Sequence, residues 1–156
     1  LNDLQKLKQE FKQIPMLNAP DFKRPFHLYT DASETSIGAS LEQHEGEKRL
    51  PIRFFLRTLK KTETNYWIFD KELLAIFEAV TKKFPHFLLH NKFIFHTDNK
   101  ALQQAIQRPT EKHSHKIRKQ LQILSEYDFE VQHIKGTENK TADILSQPKC
   151  YLTYKD

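Results

Sequence analysis

The stretch Phe93-Ile94-Phe95-His96-Thr97-Asp98-Asn99-Lys100-Ala101-Leu102 decides how the chain is read. Phe93, Ile94 and Phe95 favour a strand, an acid stands where the run stops, and helical spacing runs from Lys100 to Ile106. Asp98 therefore falls at a strand's carboxyl end, the rim at which open α/β sheets bind ligands. An earlier segment, Pro25-Phe26-His27-Leu28-Tyr29-Thr30-Asp31-Ala32-Ser33, is an alternating strand that again finishes in Thr-Asp. One strand-end Asp is ordinarily a turn or a helix cap. Two of them point to a shared carboxylate cluster.

The length, 156 residues, fits one domain that buries roughly two-thirds of its unfolded surface. Three glycines and 29% charged residues exclude collagen-like or glycine-rich chains, and 38% hydrophobic residues with twelve phenylalanines argue against disorder. The single Cys150 excludes an internal disulfide framework, makes a reducing compartment the default, and leaves a zinc site without paired ligands. No apolar run approaches a membrane span or signal peptide, so the expectation is a soluble, intracellular and cytoplasmic domain with no membrane partner. A net charge of +5 and a pI near 9.2 suit a polyanion, although so modest an excess also occurs in proteins that bind none. Clustered acids within a basic chain are what metal ions bridging those acids to a lysine-held phosphate backbone would require.

Leu1, Leu4, Leu7, Phe11 and Ile14 keep helical spacing up to Pro15, and a Pro-bounded connector runs to Phe22. A chain that begins in mid-pattern without a Met reads as a piece of something longer. Strands are expected at Phe26 to Thr30, Ile37 to Glu42 and Pro51 to Leu56, joined by turn segments at Asp31 to Ser36 and His44 to Lys48 as an antiparallel meander. A long helix is expected over Asn65 to Phe84, with Thr62 or Thr64 as N-cap and Tyr66, Phe69, Leu73, Ile76, Phe77, Val80 and Phe84 on one stripe. Glu72 lies beside Phe69 and Ile76, so its carboxylate points toward the sheet; alone it would read as a flanking Glu paired with a Lys. Pro85 ends or kinks this helix.

Ser114 caps a further helix with Ile117, Leu121 and Leu124 inward and Lys116, Arg118 and Lys119 outward, a basic face suited to phosphates or simply to solvent. Phe129 to Ile134 alternates as a strand, and Thr137 or Asn139 caps a last helix carrying Asp143 in its first turns, where the helix dipole alone would explain an acid. The order is β-β-β-α-β-α-α-β-α, without an internal repeat, and the last residues, Tyr151 to Asp156, are expected to be loose.

With that order, and with acids after the first strand, in the long helix, after the fourth strand and in the last helix, the chain resembles ribonuclease H. More narrowly, it resembles the ribonuclease H domain of reverse transcriptases from gypsy-type LTR retrotransposons and plant pararetroviruses. The matching segments are Tyr29-Thr30-Asp31-Ala32-Ser33, Lys71-Glu72-Leu73-Leu74-Ala75-Ile76, Thr97-Asp98-Asn99-Lys100, Glu126-Tyr127-Asp128-Phe129-Glu130, and Lys135-Gly136-Thr137-Glu138-Asn139 running into Ala142-Asp143. The resemblance implies an α/β, ribonuclease H-like fold: a five-stranded mixed sheet, three antiparallel strands and then parallel ones, flanked by helices. It also implies a connector from the polymerase domain at residues 1–24, the domain proper at 25–147 and a C-terminal tail at 148–156.

The implied activity is metal-dependent endonucleolytic hydrolysis of the RNA strand of RNA/DNA hybrids, as part of a Pol polyprotein acting within viral or virus-like particles. The implied cofactor is a pair of Mg²⁺ ions, for which Mn²⁺ can substitute. Asp31 would bridge both, with Glu72 and Asp98 on one and Asp143 on the other; Mg²⁺ prefers such oxygen ligands. The implied partners are the hybrid and the polymerase domain in cis. Many relatives place a His shortly before the Lys-Gly turn, where this chain has Ile134; His133, one residue earlier, reads as structural by alternation with Phe129 and Val131. His96 shares the face of Asp98 by parity, and its alternative is packing against the long helix.

Asn65, Tyr66, Trp67 and Asn99 are candidates for reading 2′-hydroxyls across the minor groove, Tyr66 and Trp67 reading equally as core. Lys116, Arg118 and Lys119 are the candidate phosphate contacts. The competing reading of another class is a catalytically weak or inactive module that grips hybrid or polymerase without cutting, and the four acids argue against it. Integrases and resolvase-like nucleases share the architecture but not the Lys71-Glu72-Leu73-Leu74 and Lys135-Gly136-Thr137-Glu138-Asn139 contexts.

Overall fold

The structure, a computed structural model of the chain, describes residues 17–135. The Asp143 expectation and the last helix lie outside the described residues. Three strands open the fold: β1 (Phe26–Ala32), β2 (Ser36–Glu45) and β3 (Lys48–Thr58), each longer than the alternating pattern indicated. The gain follows from pairing, because an antiparallel ladder continues past the apolar residues wherever backbone partners remain. Asp31, expected in a turn, is thus inside β1 and opposite Gly38 of β2. The β2–β3 hairpin closes between Glu45 and Lys48, with Gly46 at φ 61° and no other residue type at positive φ among those described, as a two-residue type II′ turn requires. Pro51 is tolerated in β3 because that strand is at the sheet edge and the Pro lies at a register shift opposite Leu41 and Glu42.

The long helix is shorter than the apolar stripe suggests. It begins as α1 (Ile68–Glu78) and passes into a π-helical turn (Ala79–Lys83), where the Phe84 N–H bonds the Ala79 carbonyl at 2.8 Å. Pro85 then starts the short α2 (Pro85–Leu88), at a helix start where its missing N–H costs nothing. Neither Thr62 nor Thr64 is the N-cap: that position is Trp67, with no capping side chain, while the Thr64 hydroxyl bonds the Lys61 carbonyl. The chain from Leu59 to Tyr66 turns on Glu63 instead, whose backbone carbonyl accepts from Tyr66 N–H and whose carboxylate accepts from Lys60 N–H.

β4 (Phe93–Thr97) is followed directly by Asp98 and by α3 (Lys100–Gln107), which Asn99 caps by accepting from Leu102 N–H at 3.0 Å. Ser114 caps α4 (His115–Leu124) as expected, and β5 (Phe129–His133) completes the sheet. The strand order is β3-β2-β1-β4-β5, with β1 antiparallel to β2, β2 to β3, and β4 parallel to both β1 and β5. The expected five-stranded mixed sheet is therefore the observed one. Phe26, Leu28, Phe93 and Phe95, wholly buried, join Leu73, Ile76 and Val80 of the helical segment in one core. No described helix is long and apolar enough to cross a membrane.

Candidate active site

Two parallel strands set the spacing of the site. Tyr29 of β1 is level with His96 of β4, and continuing that register by two residues sets Asp31 level with Asp98. Neighbouring strands lie about 4.8 Å apart, so the two carboxylates arrive at the same rim from adjacent strands. Asp98 is exposed and Asp31 half-buried. The third acid comes from above the sheet, where Glu72 of α1 lies beside the core residues Leu73 and Ile76 and is only 5% exposed. The sequence expectation of an inward carboxylate is met.

The negative charges of Asp31 and Asp98 both bear on Glu72. Burial, then the negative charges of Asp31 and Asp98, push the Glu72 carboxyl up to about 9, against which the Ala32 backbone hydrogen bond works. The Oε2 atom of Glu72 is buried without a hydrogen-bond partner. Lys71 is adjacent in sequence, yet its ammonium goes to the Glu34 carbonyl at 3.3 Å rather than to an acid. A buried carboxyl with an orphaned oxygen, facing two more carboxylates, is costly unless a cation completes it.

Hard divalent cations take carboxylate oxygens as ligands, so the donor set suits Mg²⁺ or Mn²⁺ in its chemistry. Among the described residues no group of three or more His, Cys, Asp and Glu side chains is already spaced to hold a metal ion. Glu72 thus stands within the field of Asp31 and Asp98 rather than in a closed cage with them. The orphaned Glu72 oxygen is the feature that a cation fits.

One histidine departs from expectation and another gains unforeseen partners. The His96 ring stacks on Tyr29 with centroids 4.4 Å apart, and its Nε2 meets His27 Nδ1 at 2.9 Å. His27 in turn stacks on His44 at 3.6 Å, and Arg49 lies over the Tyr29 ring while pairing with the buried Glu42. Burial first, then neighbouring positive charge, lowers His27 to about 4 and His96 to about 3, keeping both rings neutral. Alternation marked His27 and His96 as strand residues, but only the long-range register of β1 with β4 could show that they meet. His133, expected to be buried by alternation, is exposed at the end of β5, and its Nε2 lies 3.2 Å from the Asp98 carbonyl oxygen.

The candidate substrate contacts divide. Asn65 is exposed before α1, and Arg118 and Lys119 are exposed on α4. Asn99 spends its side-chain oxygen on capping α3. Lys116 does not project freely: its ammonium sits 4.1 Å from the centre of the half-buried Tyr66 ring and bonds the Tyr66 hydroxyl. Trp67 is not core, being 81% exposed. A network the sequence did not reveal joins Arg57 of β3 to both Glu63 and Glu78, each in a two-pronged ion pair with contacts of 2.7 to 3.0 Å. No local signal encodes it, since Arg57 and Glu78 meet only after the sheet and helix have formed.

Known proteins resemble this chain along nearly its whole length. The family model described as the RNase H-like domain found in reverse transcriptase matches residues 21–127. The retrovirus-related Pol polyprotein from transposon 297 of Drosophila melanogaster is 41% identical over 147 residues, which cover 93% of this chain and 13% of that polyprotein. The enzymatic polyprotein of carnation etched ring virus is 34% identical over 145 residues, 91% of this chain and 22% of that protein. The chain therefore spans a small fraction of the length of these relatives. Among solved structures, the foamy viral protease-reverse transcriptase in complex with RNA/DNA hybrid superimposes with a TM-score of 0.65 at 16% identity, over 98% of this chain and 20% of that one. That likeness is one of fold.

Proposed function

The chain belongs to the family of RNase H-like domains found in reverse transcriptase, and from that premise we propose that it hydrolyses the RNA strand of RNA/DNA hybrids during reverse transcription, as one part of a Pol polyprotein. The observation that carries the proposal is the buried, orphaned Glu72 carboxyl raised by Asp31 and Asp98. Asp31, Glu72 and Asp98, with Asp143 from beyond the described residues, would hold two Mg²⁺ or Mn²⁺ ions. Such ions, when bound, supply Lewis-acid stabilisation to the attacking and leaving oxygens of an in-line displacement.

The chain's own residues do the rest. Asp31 at the end of β1 and Asp98 directly after the adjacent β4 set the width of the site. Glu72 enters it as a carboxyl that yields its proton when positive charge arrives, because only the neighbouring acids and burial hold that proton in place. His133, on the Asp98 carbonyl, orients the turn that leads from β4 into α3. Arg118 and Lys119 present exposed cations to phosphates, a contact that fixes position without reading sequence. On this reading residues 1–24 are the connector from a polymerase domain in cis, 25–147 the nuclease domain and 148–156 a tail, working in the cytoplasm within virus or virus-like particles.

The test is cleavage of a labelled RNA/DNA hybrid with and without Mg²⁺, beside double-stranded RNA and DNA and an Asp98→Asn variant. Metal-dependent cutting of the hybrid's RNA strand alone, lost in the variant, is the expected result. Hybrid binding without cutting, even with Mn²⁺ and high protein, would replace the proposal with the non-cutting binding module.

A further inference from the structure

Lys71 is a buried cation beside the acids, and it pairs with none of Asp31, Glu72 and Asp98. It is 7% exposed in α1, immediately before Glu72, and its N–H bonds the Trp67 carbonyl at 3.1 Å as the helix begins. An ammonium this deep gives up its water and needs acceptors for its three donors in return. Among the described residues it has one, the Glu34 carbonyl at 3.3 Å. Packing alone does not explain the choice, since an unbranched apolar side chain would fill the same space without a charge to desolvate.

What the ammonium holds is the turn that follows Asp31. β1 ends at Ala32 and β2 begins at Ser36, so Ser33, Glu34 and Thr35 join them. Within the turn, Ser33 N–H bonds the Ser36 carbonyl at 2.8 Å and the hydroxyls of Ser33 and Ser36 lie 2.9 Å apart. Two of its carbonyls reach other parts of the fold: that of Thr35 accepts from Leu59 N–H, just past β3, and that of Glu34 accepts from Lys71. The Ala32 backbone meanwhile bonds the Glu72 carboxyl. Consecutive residues of one helix thus grip the chain at Glu34 and at Ala32, immediately beyond Asp31. Resting on the metal-dependent nuclease reading above, we propose that Lys71 is a positioning residue of the active site: its bond to the Glu34 carbonyl locks the turn after β1 onto α1 and so fixes Asp31 relative to Glu72 for a divalent cation. Mg²⁺ demands near-ideal octahedral geometry, so a small drift between ligands on two elements weakens its binding. The sign of the effect separates this role from plain electrostatics. A positive charge near a cation site opposes the cation, so removing it would tighten Mg²⁺, whereas losing a clamp weakens it.

The test melts the chain and its Lys71→Met, Lys71→Gln and Lys71→Arg variants across a Mg²⁺ titration at pH 8, and assays cleavage of a labelled RNA/DNA hybrid over the same range. In Lys71→Met the metal-free melting temperature should stay within about 3 °C of the parent, because the lost bond is offset by the charge no longer buried. Its Mg²⁺ midpoint should rise about tenfold, with KM for the hybrid unchanged. Lys71→Gln, one bond shorter and uncharged, should show the same rise and decides the matter where the Met variant does not fold. Lys71→Arg keeps the charge and a donor and should restore most of the midpoint. Glu34→Ala should match the parent, since the acceptor is a backbone carbonyl. A midpoint in the Met or Gln variant equal to or below that of the parent overturns the inference, even if the variant melts earlier, and leaves the nuclease reading standing; the melting midpoint decides where the two readouts differ. A parent that neither gains melting temperature from Mg²⁺ or Mn²⁺ nor cuts hybrid removes both.

Discussion

Two buried glutamates on one helix have opposite surroundings. Glu72 and Glu78 both belong to α1 and are 5% and 7% exposed. Glu78 receives two contacts from Arg57 at 2.7 and 2.8 Å, and the same guanidinium grips Glu63, which lowers the Glu63 carboxyl and raises Arg57. Glu72 receives two negative charges and keeps one oxygen without a partner. The first arrangement ties β3, the loop after it and α1 together. The second stabilises nothing by itself, and such an arrangement persists where a site needs it.

The largest effect should come from breaking the second arrangement by charge alone. Asp98→Asn should cut hybrid cleavage by at least about 100-fold, beyond what losing a partner of a metal ligand costs, with an unchanged melting temperature because Asp98 is exposed. Breaking the first arrangement should instead be a loss of stability. Arg57→Ala leaves two carboxylates facing each other and should cost about 3 kcal/mol in urea unfolding, the low end for a broken buried pair since the Arg57 side chain is 22% exposed.

A smaller and opposite effect sharpens the contrast. Glu72 titrates near 9 when folded and 4.5 otherwise, so between those values the unfolded chain has released a proton that the folded chain holds. Its contribution to stability is full below pH 4.5 and fades as pH rises toward 9. Glu72→Gln should therefore stabilise the metal-free protein by about 1 kcal/mol at pH 8, which thermal melting reads as a rise of about 2–4 °C, and should do nothing at pH 4. The histidine cluster slopes the other way. His27, lowered from 6.5 to about 4, stays neutral when folded while the unfolded ring takes up a proton, so its stabilisation is complete above pH 6.5 and is lost as pH falls toward 4. His27→Phe should flatten that acid limb by less than about 1 kcal/mol per pH unit, measured by unfolding between pH 4 and 7.

The parts legible in the sequence were those with short-range signatures. Asp31 and Asp98 stood out because two strands each end in Thr-Asp, and Glu72 because it stands at the edge of an apolar stripe within a segment that resembles the family. The sheet followed from alternation, turn residues and the resemblance to a known fold. The stripe overestimated the helix because apolar spacing does not register the step from ordinary to π-type hydrogen bonding at Ala79–Lys83. It misplaced the start because Arg57, far away in sequence from Glu78, holds the loop that sets it. The meeting of His27, His44 and His96, and the outward turn of Trp67, also depend on which strands and helices become neighbours.

The central claim is that the charge left uncompensated at Glu72 is a place for a divalent cation. It is tested most directly by melting the protein and its Glu72→Gln variant across a Mg²⁺ titration at pH 8 and constant ionic strength. A melting temperature that rises with Mg²⁺ in the parent and stays flat in the variant is the predicted result. An equal rise in both, or none in either with Mg²⁺ or Mn²⁺, would contradict it.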